Sequence, residues 1–199
     1  MSDRQKKFRE RATRLKRALM NEQKKHRNIE DGAGKRYLIG PLFVLAGECG
    51  KALAHYDWYE KNCSDDVGEP FHYLYWALCL YRAGETQKAN EKLFETMLQN
   101  VYFLPILLGA PEGRYDIWHG SNMEEPEYIT QAPPDLLPRL SAQERSWIEQ
   151  NLNSFRFRRT CEEYIATYGA LKHETNVDKR RQILGRWKDF LVSATAIEG

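Results

Sequence analysis

The chain has 199 residues, 42% hydrophobic, 29% charged and 12% aromatic, with a formal net charge of +2. That length suits one well-buried domain better than two independent cores, and the apolar content is too high for an unstructured polymer. The charged start Met1-Ser2-Asp3-Arg4-Gln5-Lys6-Lys7 has no apolar core and no run of about 18 apolar residues follows. Neither a signal peptide nor a transmembrane helix is therefore expected, and the expected compartment is the cytoplasm, with no membrane partner.

Charge is unevenly spread. Residues 1–30 hold eleven Lys/Arg against four Asp/Glu, a balance of +7, which leaves −5 for the other 169 residues. The first element, residues 4–28, lacks Gly and Pro and is rich in helix-forming Lys, Arg, Gln and Glu. Phe8, Ala12, Leu15 and Leu19 fall at i, i+4, i+7 and i+11, which predicts a helix with a narrow apolar stripe. Its cations could meet nucleic-acid phosphates, but the favoured reading is a solvated helix whose stripe caps the acidic body. Asp31-Gly32-Ala33-Gly34 breaks it.

Two helical pairs come next. Residues 37–46 and 50–62 read as the first, with Pro41 either starting its leading helix or bending it. A linker at 63–70 offers Asp and Ser as caps and Pro70 at a first helical position. Residues 71–82 and 86–99 form the second pair, around a turn at Ala83-Gly84. The pairs correspond with a 37-residue offset: Ile39, Gly40, Phe43, Gly47, Ala52, Tyr56 and Tyr59 match Trp76, Ala77, Leu80, Gly84, Ala89, Leu93 and Thr96. Gly40 with Ala52, and Ala77 with Ala89, are the expected small residues at the helix crossings.

A third copy begins at Tyr102 and fails, with Leu107-Leu108-Gly109 echoing Leu38-Ile39-Gly40. Residues 110–138, carrying Gly120, Pro126, Pro133, Pro134 and Pro138, read as a long loop. Three helices close the chain: one capped by the Ser141-x-x-Glu144 box and running to about Phe155, one capped by Thr160, and one capped by Asn176 or Asp178 and ending near Ala196.

Motifs with chemistry are weak. Gly32-Ala33-Gly34-Lys35 lacks the first glycine and the hydroxyl of a phosphate loop, and no strand precedes it. Cys49, Cys63, Cys79 and Cys161 form no C-x-x-C pair, the five histidines form no H-x-x-x-H pair, and reduced thiols are expected. Asp65, Asp66 and Glu69 could hold a cation, but read first as caps and solvated charge. No cofactor or metal is expected, and the chain is not read as an enzyme.

The matched spacing of the two pairs resembles the tetratricopeptide-repeat (TPR) consensus, with three residues inserted between repeats. Arg36 and Tyr73 stand where that family often has tryptophan, and the closing proline is missing. The resemblance implies an all-α, TPR-like antiparallel helix-turn-helix array over residues 31–199, preceded by the basic helix at 1–30 and ending in C-terminal helices. It also implies a non-catalytic scaffold or adaptor that binds a protein or peptide in a concave groove. The groove residues it implies are Tyr37, Val44, Leu74, Leu78, Tyr81 and Arg82. A nucleic-acid-associated accessory protein using the basic helix is the alternative.

Overall fold

The structure is a computed structural model that describes residues 1–26, 31–32 and 34–195. It is all-α, with no strand among the described residues. Ala196, near which the last helix is expected to end, and the 27–30 end of the basic segment lie outside the described residues. Where length alone suggests one core, the chain forms two compact units, residues 1–99 with 132–139 and residues 100–131 with 140–199.

The first unit contains α1 (Asp3–His26), α2 (Lys35–Leu45), α3 (Cys49–Asn62), α4 (Pro70–Arg82) and α5 (Thr86–Gln99). The basic helix is part of this unit: α1 packs along α2, with Phe8, Ala12 and Leu19 buried and Lys6, Lys7, Arg11, Arg14, Arg17, Lys24 and Lys25 exposed. Helices α2 and α3 form one hairpin and α4 and α5 the other, and α2 and α3 both pack on α4. Pro41 sits inside α2 rather than at its start. Glu69, and neither the Asp nor the Ser residues of the linker, caps α4: its carboxylate accepts from the backbone N–H of Phe71 and His72, with Pro70 at the first position. Burial drives the Glu69 carboxyl up to about 7 despite those two hydrogen bonds.

The repeat is visible in the turns. Gly47 and Gly84 both have φ of 80°, a conformation that costs a residue with a Cβ. In the first turn Gly47 N–H donates to Val44 O and Glu48 N–H to Phe43 O; in the second Gly84 donates to Tyr81 and Glu85 to Leu80. Each pair closes its helix with the same six-to-one and five-to-two bonds. The short α6 (Phe103–Leu107) ends the same way, with Gly109 at φ 99° donating to Ile106 O and Ala110 to Pro105 O. Gly109 is thus the counterpart of the turn glycines and not of Gly40, which corrects the register of the failed third copy.

The second unit contains α6, α7 (Glu127–Thr130), α8 (Ala142–Leu152), α9 (Phe155–His173) and α10 (Val177–Thr195). The Ser141 box is complete, with Ser141 N–H donating to Glu144 and Glu144 N–H to Ser141 Oγ. Helix α9 starts earlier than Thr160: Ser154 Oγ accepts from Phe157 N–H, and Thr160 is buried mid-helix. Asn176 Oδ1 caps α10 through the N–H groups of Asp178 and Lys179. The expected long loop is pinned in this unit: Asn100 Nδ2 donates to the carbonyls of Met123 and Glu125, Trp118 N–H to Tyr168 O, and Lys172 and His173 meet Asp116. Tyr164 and Tyr168 stack with centroids 4.1 Å apart, and Trp187 of α10 meets Tyr164 edge-on, which seats α10 on α9.

Among the described residues no helix is long and apolar enough to cross a membrane.

Candidate functional site

The six residues of the implied groove do not line one surface. Helix α4 is buried from His72 through Leu80, because α2, α3 and α5 all pack on it and leave it no free face. Leu74 and Leu78 are 0% exposed and belong to the core, which corrects their assignment to a groove. Tyr81 is half-buried and Arg82 exposed at the C-terminal end of the same helix.

Tyr37 belongs to a polar cluster at the start of α2. Its hydroxyl donates to Asp66 and accepts from Arg36 Nη2 at 2.8 Å, while Arg36 Nε also pairs with Asp66. Asp31 Oδ2 accepts the Arg36 backbone N–H at 2.7 Å and Lys35 Nζ lies 3.4 Å from Oδ1. Burial would raise the Asp66 carboxyl, yet the hydrogen bonds from Arg36 and Tyr37 outweigh it and hold the group below its ordinary value. These carboxylates bind neighbouring side chains. Among the described residues no three His, Cys, Asp or Glu side chains are arranged to hold a metal ion, and Cys49, Cys63, Cys79 and Cys161 are in no disulfide.

Val44 and Arg82 are brought together. They line a cavity of about 340 Å³ in the first unit, open to solvent at a rim of three arginines, Arg4, Arg82 and Arg139. The floor is apolar: Phe8 from α1, Val44 and Leu45 from the end of α2, Tyr75 from α4, and Leu137 and Pro138 from the 132–139 segment. Each arginine is placed by a local feature. Arg4 lies in the first turn of α1, where its guanidinium sits 5.4 Å from the Phe8 ring and Nη2 donates to Asp135 O at 3.1 Å. Arg82 stands in the last turn of α4, where the helix end favours positive charge. Arg139 is carried by the 132–139 segment, which Tyr75 anchors through its hydroxyl donating to Leu136 O at 2.7 Å. Burial raises the Tyr75 pKa; Arg82 and Arg4 act in the opposite direction, and Asp135 adds to the rise.

No Asp or Glu side chain lines this cavity among the described residues. Three guanidiniums beside an apolar floor suit an anionic group attached to an apolar one. A carboxylate or phosphate could take paired N–H donors while the apolar part covers Val44, Leu45 and Phe8. Sequence reading missed Arg4, Arg139 and Tyr75 because they lie on three segments far apart in the chain. Only the basic balance of residues 1–30 hinted at Arg4.

No family model, curated protein or solved structure matches the chain.

Proposed function

We propose that the chain is a non-catalytic, TPR-like helical scaffold that binds another protein, and that the arginine-rimmed cavity takes an acidic, partly apolar segment of that partner. The observation that carries this reading is the convergence of Arg4, Arg82 and Arg139 on one cavity whose floor is formed by Phe8, Val44, Leu45 and Tyr75. The repeat reading is supported by the two hairpins, whose turns share the same glycine conformation and hydrogen bonds 37 residues apart.

The test is fluorescence anisotropy with labelled peptides that combine leucine with aspartate or glutamate. Binding that weakens with salt, and falls about tenfold or more in Arg82→Ala and Arg139→Ala variants with unchanged melting temperature, is the expected outcome. Undiminished binding in both variants, or none at low salt, overturns the reading.

A second reading rests on one observation. Eight Lys and Arg side chains of α1 are exposed while Phe8, Ala12 and Leu19 of its apolar stripe are buried, so the helix presents a cationic outer face. That face suits a nucleic-acid backbone. The two are separable: Arg11→Glu with Arg14→Glu and Arg17→Glu abolishes oligonucleotide retention and spares peptide binding if both occur.

A further inference from the structure

A second cavity in the first unit has the opposite chemistry. It encloses about 250 Å³ and is bounded by α3, the linker after it, α4 and α5. Tyr59, Tyr73 and Trp76 supply ring surfaces, and Glu60 and Glu95 supply carboxylates. The helical periodicity that packs the hairpins also sets this lining. Tyr73 and Trp76 are three apart on α4 and share a face, with their rings nearly parallel (9°) and centroids 6.4 Å apart. Tyr59 meets Trp76 edge-on at 6.5 Å. Tyr56 stacks on Trp76 at 4.8 Å and 4°, which holds the indole rigidly in place.

The structure itself shows what this lining holds. The ammonium of Lys92, from α5, lies 4.0 Å from the Trp76 centroid and 5.8 Å from that of Tyr73. It is 3.3 Å from both oxygens of Glu95 and 3.5 Å from Glu60. Two carboxylates converge on one ammonium, so the site keeps an excess negative charge. The third nearby carboxylate, Asp66, is already paired with Arg36. Burial raises the Glu95 carboxyl, only partly offset by Lys92, so a further cation would be welcome there. Glu60 is 64% exposed and stands at the open side.

We propose that this aromatic and acidic cavity is a recognition site for an alkylammonium group, and that Lys92 occupies it as an internal stand-in. Ring faces attract cations, most strongly where water is excluded, and aromatic walls with carboxylates discriminate for methylated or primary ammonium over neutral groups. The site is separate from the arginine-rimmed cavity and would bind the opposite charge, so either can fail without the other.

The test uses the full chain and follows the Trp76 indole N–H resonance, assigned with Trp76→Phe. The probes are choline, Nα-acetyl-trimethyllysine methylamide and its unmethylated counterpart. Lys92→Ala removes the stand-in, and it should bind choline or a lysine probe about tenfold more tightly than the parent, a gain that added Glu95→Gln reverses. A response to choline alone assigns the site to small quaternary ammonium compounds, and a response to the lysine probes assigns it to a side chain of a partner. The proposal is overturned if folded Lys92→Ala, shown by dispersed amide resonances, responds to none of the three at millimolar concentration. Lys92→Gln, which keeps most of the stem, repeats the test if Lys92→Ala does not fold.

Discussion

The Tyr56 ring occupies the space that a side chain at position 40 would need. A Cβ placed on Gly40 would come within 2.4 Å of two ring carbons of Tyr56 and 2.6 Å of its hydroxyl. At the equivalent places of the second hairpin stand Ala77 and Leu93, both 0% exposed. One crossing pairs no side chain with a large ring, and the other pairs a methyl with a medium-sized residue, so each position's volume compensates the other's.

Gly40→Ala should therefore destabilise the protein by about 1–3 kcal/mol, against the gain of up to about 1 kcal/mol that alanine gives over glycine in an open helix. The Tyr56 ring cannot retreat, because it is fully buried and stacked on Trp76. Gly40→Ala combined with Tyr56→Leu copies the second hairpin and should lose less than the sum of the single changes by at least about 1 kcal/mol. Urea denaturation of the four proteins in a double-mutant cycle measures this. Additive losses would show that the two positions are not in contact.

Tyr56→Phe should be neutral or stabilising by up to about 1–2 kcal/mol. The Tyr56 hydroxyl is buried without a hydrogen-bond partner, and burying such a group has a desolvation cost that phenylalanine avoids. Packing is kept, since only the oxygen is removed. A clear drop in melting temperature on this change would mean that the hydroxyl is satisfied in solution.

Helix α1 is structural on one face and solvated on the other. Leu19 is 0% exposed, so Leu19→Ala should cost about 2–5 kcal/mol. Reversing the exposed Arg11, Arg14 and Arg17 should shift stability by well under 1 kcal/mol. Thermal melts of both variants check the contrast, and equal effects would show that α1 does not cap the first hairpin.

Two buried histidines and one buried carboxyl set the acid side of the stability curve. Desolvation lowers His72 to about 3 and His55 to about 4, below their ordinary 6.5. His55 Nε2 lies 2.8 Å from Arg36 O, and His72, enclosed by the rings of Tyr37, Tyr56, Tyr59, Tyr73 and Trp76, has an unpartnered Nε2. A lowered folded value means that their stabilisation is present above about pH 6.5 and lost as pH falls towards 4 and 3. At pH 5 each has lost about 2 kcal/mol. Glu69 acts oppositely: its raised value penalises the charged form, so protonation between pH 7 and 4.5 returns about 2 kcal/mol. The net expectation is a loss of stability from pH 7 to 5. Glu69→Gln should steepen that loss, and His72→Phe should flatten it, in chemical denaturation at the two pH values. An unchanged slope for both would show that neither group titrates differently on folding.

The chain sequence determined what depends on neighbouring residues. The positions of the hairpins, the turns at Gly47 and Gly84, the Ser141 box and the Asn176 cap follow from spacing, backbone preference and single hydrogen bonds within a few residues. The buried stripe of α1 was legible for the same reason, as helical period alone puts Phe8, Ala12 and Leu19 on one side. Even local reading failed where two caps competed: Ser154 and Thr160 both suit a helix start, and burial of Thr160 decided for Ser154. Only tertiary packing decided which residues stay at the surface. Leu74 and Leu78 look like any apolar face until α2, α3 and α5 enclose α4. Residues 132–139 read as loop, yet hydrogen bonds from Arg4 and Tyr75 fix them in the first unit. That docking sets Arg139 beside Arg4 and Arg82 although 135 and 57 positions separate it from them in the chain. Sequence distance carries no information about such a meeting, because it is fixed by the burial of other side chains.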